Sequence, residues 1–132
     1  MNIESHKKGL RESLTMIRRA IQDGIENNQR TIGFNCSAAI VDVLEIYLHS
    51  RNLIDPGTII KHDFFNSRKQ AEKRLTFDFP NKGKIIEMLV RLEEKRNILC
   101  YGKQQSGKML EEHISLFNEI KKIFDEMGVD YE

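Results

Sequence analysis

The sequence predicts an all-α fold, a single domain built as a four- to five-helix antiparallel bundle. Three observations predict it. Apolar residues recur at helical spacing along nearly the whole chain, the breaks between the periodic segments are short, and no segment alternates apolar and polar residues as a half-buried strand would. The 132 residues are enough for one hydrophobic core without disulfides or a metal.

The first periodic segment carries Leu10, Leu14, Ile17, Ile21 and Ile25, one stripe on a helix of several turns, and breaks at the polar "ENNQR". The second, "TIGFNCSAAIVDVLEIYLHSRNLI", is apolar around most of its circumference, which predicts a central helix covered by its neighbours. Asp55, Pro56 and Gly57 then make a turn. A third helix is expected from about Thr58 to Leu75, with Ile60, Phe64, Phe65 and Ala71 as its apolar set. "TFDFPNKGK" reads as a loop whose Asn81 can cap a fourth helix. That helix carries Ile85, Leu89, Leu92, Arg96 and Leu99 and should stop near Gly102. Ser106 can cap a fifth, with Leu110, Ile114, Phe117, Ile120, Phe124 and Met127 facing inward and Gly128 ending it.

A net charge of +1 carries no overall nucleic-acid footprint. The charge is nonetheless unevenly spread. Lys61 to Lys103 holds 11 Lys/Arg against 6 Asp/Glu, a local +5, whereas Glu111 to Glu132 holds seven acids and only Lys121 and Lys122. Most of these charges sit in mixed patterns such as "RLEEKRN", which read as solvated helix faces. Cys36 and Cys100 lack metal-type spacing and read as reduced, partly buried thiols of an intracellular, cytoplasmic protein. The polar start "MNIESHKKGLRESL" has no apolar core of a signal peptide, and no window approaches 18 uninterrupted apolar residues, so no membrane partner is expected.

The loudest local signal is a G-x-x-x-x-G-K match at Gly102, Gly107 and Lys108. A phosphate loop lies between a strand and a helix and follows its lysine with Ser or Thr for magnesium. Here Met109 follows, and the preceding segment reads as helix, so the match reads as an interhelix loop. No H-x-x-x-H, H-E-x-x-H or clustered Cys/His set is present, and neither a metal site nor a cofactor is expected.

The quieter signal is Arg96, a charge standing where the apolar stripe asks for Leu or Ile. A guanidinium facing the core must be paired or must line a cleft. Asp42, Glu45 and His49 lie at i, i+3 and i+7, on one face of the otherwise apolar second helix, and are the candidate partners. Two readings stay open: a buried salt bridge that fixes helix register, or a polar cleft in which Arg96 contacts phosphate while the acids orient it. His6 reads as solvated near a frayed terminus. His62 could enter a cleft from a neighbouring element, and His113 reads as a boundary or interface residue.

The Arg96–Asn97 pair near the end of the fourth helix, together with the small, apolar, acid-bearing helix "CSAAIVDVLEIYLHSRNLI", resembles the HEPN superfamily over roughly Arg18 to Met127. The resemblance implies a helical bundle that forms a homodimer. It also implies a site at which two Arg-based motifs meet, serving either metal-independent RNA cleavage or non-catalytic nucleotide binding. Some members partner a small nucleotidyltransferase in toxin–antitoxin pairs. The family's histidine, separated from the arginine by four to six intervening residues, is missing: the three allowed positions hold Tyr101, Gly102 and Lys103. A phenol with a pKa of about 10 is a poor general base at neutral pH. The expected site is therefore Arg96 and Tyr101 as the reacting pair, with Asn97, Asp42, Glu45 and His49 binding substrate. Its expected roles are RNA- or nucleotide-directed binding with catalysis in doubt, or a non-catalytic protein-interaction module.

Overall fold

The computed structural model describes residues 2–131. Among these the regular elements are all helical. α1 (Ile3–Asp23) leads through a 3₁₀ turn (Ile25–Asn28) into α2 (Gln29–Ser50). An irregular segment and a second 3₁₀ turn (His62–Phe65) precede the short α3 (Arg68–Arg74). α4 (Lys82–Tyr101) and α5 (Gly107–Glu126) complete the bundle.

The helices start where side chains can satisfy their free N–H groups. Asn2 accepts from the Ser5 N–H at 2.9 Å, Ser67 from Gln70 at 3.0 Å and Ser106 from Met109 at 3.3 Å. Asn81 stands at the expected start of α4 but makes no side-chain cap; it takes a left-handed backbone, φ 62°, and turns the chain instead.

α2 is the central helix and packs against α1, α4 and α5. Ile32, Cys36, Ala39, Ile40, Val43 and Leu44 on it are sealed from solvent. By length and composition the Ile25–Ser50 span could cross a membrane, yet 72% of its apolar window is already buried inside the bundle. Contact pairs set the directions. His6 meets Asp42 while the two helices join through the 25–28 turn, and Ser37 meets Glu93 while Gln29 meets Leu99, so α1 and α4 both run antiparallel to α2. Gly33 lies by the α4 crossing, where a Cβ would come within 2.7 Å of Leu99 Cβ. α5 runs parallel to α2: Tyr47 packs on Phe124 with ring centroids 6.0 Å apart, and Arg51 donates to the Met127 carbonyl at 3.1 Å.

Several expectations shift once packing is known. The buried face of α1 is His6, Leu10, Ser13, Ile17 and Ala20, with Lys7 beside it, and Ile21 is exposed. That face is rotated about 50° from the Leu10–Ile25 stripe, at about 100° per residue; small Ser13 and Ala20 let α1 approach α2 closely, which the larger apolar side chains do not. The continuous helix expected from Thr58 to Leu75 does not form. Lys61 is extended, the Ile60 N–H is taken by a Glu45 carboxylate oxygen at 2.5 Å, and α-helix resumes only after Ser67 caps it. His113 is not a boundary residue: it is wholly buried on α5.

Candidate functional site

The residues expected to form one site fall into two clusters. Arg96 does not pair with Asp42 or Glu45. Its Nη1 donates to Glu93 Oε1, one turn earlier on α4, at 3.2 Å, and its guanidinium lies 6.0 Å from the Phe34 ring centroid. The antiparallel crossing sets Arg96 level with Phe34 and Ser37 on α2. From Ser37 to Glu45 is eight residues, about 12 Å along the axis and about 80° around it. The acids therefore face α1, not α4.

Glu93 is the centre of the first cluster. It is buried, and its second oxygen accepts the Ser37 hydroxyl at 3.0 Å. His62 Nδ1 lies 3.3 Å from the same oxygen and 3.2 Å from Ser37 Oγ. One carboxylate thus bridges a guanidinium on α4 and an imidazole carried in by the 3₁₀ turn. The His62 ring is about a third exposed, 31%, so it reaches solvent beside Arg96. A serine hydrolase triad needs the acid and the serine on opposite ring nitrogens. Here both meet Nδ1, Ser37 gives its hydrogen to Glu93, and Ser37 is buried, so the trio supports Arg96 and is no nucleophile.

Beside Arg96, toward the C-terminal end of α4, the surface turns aromatic. Phe34 is 51% exposed and Tyr101 is 74% exposed. With Met16, Arg30, Asn35 and Cys100 they line a depression of about 300 Å³. Burial raises the Cys100 thiol pKa, with Arg96 and Arg30 opposing the rise and Glu93 adding to it. Tyr101 is thus a broad exposed ring on the groove wall. Asn97 lies exposed one residue beyond Arg96.

The second cluster joins α1 to α2. His6 is buried, not solvated as its terminal position suggests. Its Nδ1 sits 2.9 Å from Asp42 Oδ1 and its Nε2 meets Glu45 Oε2. Gly9 makes room for this clamp, since a Cβ there would lie 2.9 Å from Asp42 Oδ2. His49 stacks beside His6, centroids 5.8 Å apart, and its pKa is lowered by burial first and by the charge of His6 second. Burial raises the Glu45 pKa, against the opposing pull of the Ile60 N–H and His6. Glu45 tethers the 51–61 segment at Ile60, two residues ahead of His62; Asp42 and His49 are half-buried, and His49 lines a depression of about 380 Å³ with Asn2, Ile3, Glu4 and Pro56.

The Gly102–Lys108 segment is an interhelix loop. Gln29 fastens it, donating to the Leu99 and Lys103 carbonyls at 3.2 and 3.0 Å and accepting the Gln105 N–H at 2.7 Å. Glu26 Oε1 would lie 2.6 Å from a Cβ at Gly107, so an acid stands where a phosphate would have to enter. Among the described residues no group of three or more His, Cys, Asp or Glu is arranged to hold a metal.

Sequence reasoning missed Glu93, Ser37 and Phe34 as neighbours of Arg96. Only Glu93 left a signal, standing three residues before Arg96 on the same helix. No protein-family model, curated protein or solved structure matches the chain.

Proposed function

We propose that the chain is a HEPN-like helical bundle, a homodimer, that binds RNA or a nucleotide along the α2–α4 groove at Arg96. The observation that carries this reading is the Glu93 carboxylate with Arg96 on one oxygen and the partly exposed His62 on the other. Arg96 is held in place yet only partly neutralised, and exposed Arg30 adds a second guanidinium nearby. Planar guanidinium groups suit phosphate oxygens. Arg96 and Asn97 face the ligand side; Glu45 acts at a distance by holding the segment that delivers His62, while Asp42 and His49 pack around His6.

Catalysis by Tyr101 is the weaker part of this reading, because its hydroxyl has no hydrogen-bond partner among the described residues to hold or activate it. Binding without cleavage is the more economical expectation. A second reading, a protein-interaction module that engages a small partner such as a nucleotidyltransferase, is favoured by one observation: Met16, Phe34 and Tyr101 expose apolar surface side by side.

The test is a titration of labelled mixed single-stranded RNA, with cleavage followed in parallel without metal, for the wild type and Arg96→Ala. Loss of one charge-assisted phosphate contact should weaken binding about 10- to 100-fold. Equal binding and equal cleavage by the two chains would remove Arg96 from the function. Light scattering at high micromolar concentration tests the dimer, and a strict monomer would exclude a site completed by a second copy.

A further inference from the structure

We infer that the Phe34–Tyr101 depression is a base-stacking subsite, so that the preferred ligand is an unpaired nucleotide stretch and not a duplex. The inference rests on the reading of Arg96 as a phosphate contact and adds what the bases do.

Among the described residues, Phe34 and Tyr101 are the large aromatic side chains left exposed, and both open onto the same depression. Elsewhere aromatic rings are packed away, as in the Tyr47, Phe79 and Phe124 group. Two exposed rings converging on one hollow are costly to leave bare, and every nucleobase has a flat face that can cover them. A volume of about 300 Å³ is at the small end of ligand sites, nearer to a base than to a helix from a partner protein.

The polar groups around the rings fit that occupant. Arg96 lies over Phe34, 6.0 Å from the ring centroid, so a phosphate on Arg96 brings the adjoining base toward that ring. Exposed Arg30 supplies a second cation at the rim. Asn35 donates its amide to the Thr31 carbonyl at 2.8 Å, which leaves its Oδ1 as an acceptor for a base edge. In A-form duplex RNA the bases are stacked on each other and closed to such a platform, whereas single strands can splay them out.

The experiment measures polarisation of three labelled oligomers of equal length with the full chain: single-stranded RNA, duplex RNA, and an abasic oligomer that keeps the phosphates. Phe34→Leu and Tyr101→Leu are compared with Arg96→Ala, with circular dichroism as a check on folding. The wild type should bind the single strand at least about tenfold tighter than the abasic oligomer, and the two Leu variants should narrow that margin by losing more affinity for the single strand than for the abasic oligomer. If single-stranded and abasic oligomers bind alike, or the Leu variants bind as the wild type does, the base subsite is wrong while a phosphate contact at Arg96 still stands, provided Arg96→Ala weakens binding. If no oligomer binds, the Arg96 reading fails with it. If the Leu variants only convert a dimer to a monomer, the depression is a protein interface and the inference is overturned.

Discussion

The Glu45 carboxylate accepts the Ile60 backbone N–H at 2.5 Å while its other oxygen meets His6. One buried side chain of α2 therefore holds both the first turns of α1 and the irregular segment that carries His62 toward Glu93 and Arg96. The two clusters are separate in space but joined through this contact.

Replacing Glu45 should show that linkage. Glu45→Ala leaves His6 Nε2 and the Ile60 N–H buried without their acceptor, while Asp42 still holds His6 Nδ1, and a loss of about 3–5 kcal/mol is expected for breaking a buried pair from one side. Glu45→Gln keeps an acceptor for Ile60 and should cost less. Urea unfolding gives both values, and amide exchange at Ile60 should quicken in the Ala variant ahead of the bundle core. Equal stabilities for the Ala variant and the wild type would show that the contact holds nothing.

His113 makes stability depend on pH. The ring is sealed in the core, and burial first, then the nearby Lys95 charge, lowers its pKa from 6.5 to about 4. Between these values the unfolded chain binds a proton that the folded chain refuses. Its stabilising contribution is complete above pH 6.5 and disappears as pH falls through 4, a change of about 2–3 kcal/mol. Denaturant midpoints measured from pH 7 to 4 should fall more steeply for the wild type than for His113→Leu. Parallel curves would remove His113 as a source.

Gly33 is a contact point between helices. Alanine there would press on Leu99 Cβ at 2.7 Å and Cys100 Sγ at 3.4 Å, so Gly33→Ala should destabilise by about 1–3 kcal/mol despite its better helix propensity. Gly57 has nothing within 4 Å of the same added atom, and Gly57→Ala should be close to neutral in the same thermal melt. A stabilised Gly33→Ala chain would mean that α2 and α4 yield more easily than their close approach suggests.

Glu93→Gln should move stability and binding in opposite directions. The neutral amide weakens the hold on Arg96 and His62, which costs about 1–3 kcal/mol of folding free energy. It also removes the negative charge that competes with phosphate for Arg96, so single-stranded RNA should bind more tightly and with a steeper salt dependence. Weaker RNA binding by this variant would mean that Glu93 serves the ligand rather than competing with it.

Helical class, the cap at Ser106 and the central place of α2 follow from periodicity and composition, because these are local properties of a chain segment. The anomaly at Arg96 was legible for the same reason: a charge interrupts an apolar stripe wherever the stripe ends up. His6 was not legible, since polar residues near a chain start look solvated until a second helix supplies two carboxylates. The extended segment before His62 was not legible either, because a side chain fifteen residues away takes the N–H that a helix would have used.

The sequence by itself determined that Asp42, Glu45 and His49 share a face and that Arg96 needs an answering group. Spacing along one helix defines a face but carries no information about which neighbour that face meets. Only the antiparallel crossing at Gly33, and the eight-residue offset from Ser37 to Glu45, decided that the acids clamp His6 while Glu93 and His62 answer Arg96. Likewise Phe34 and Tyr101 stand sixty-seven positions apart in the sequence, and only the packing of α2 against α4 brought both exposed rings to one depression.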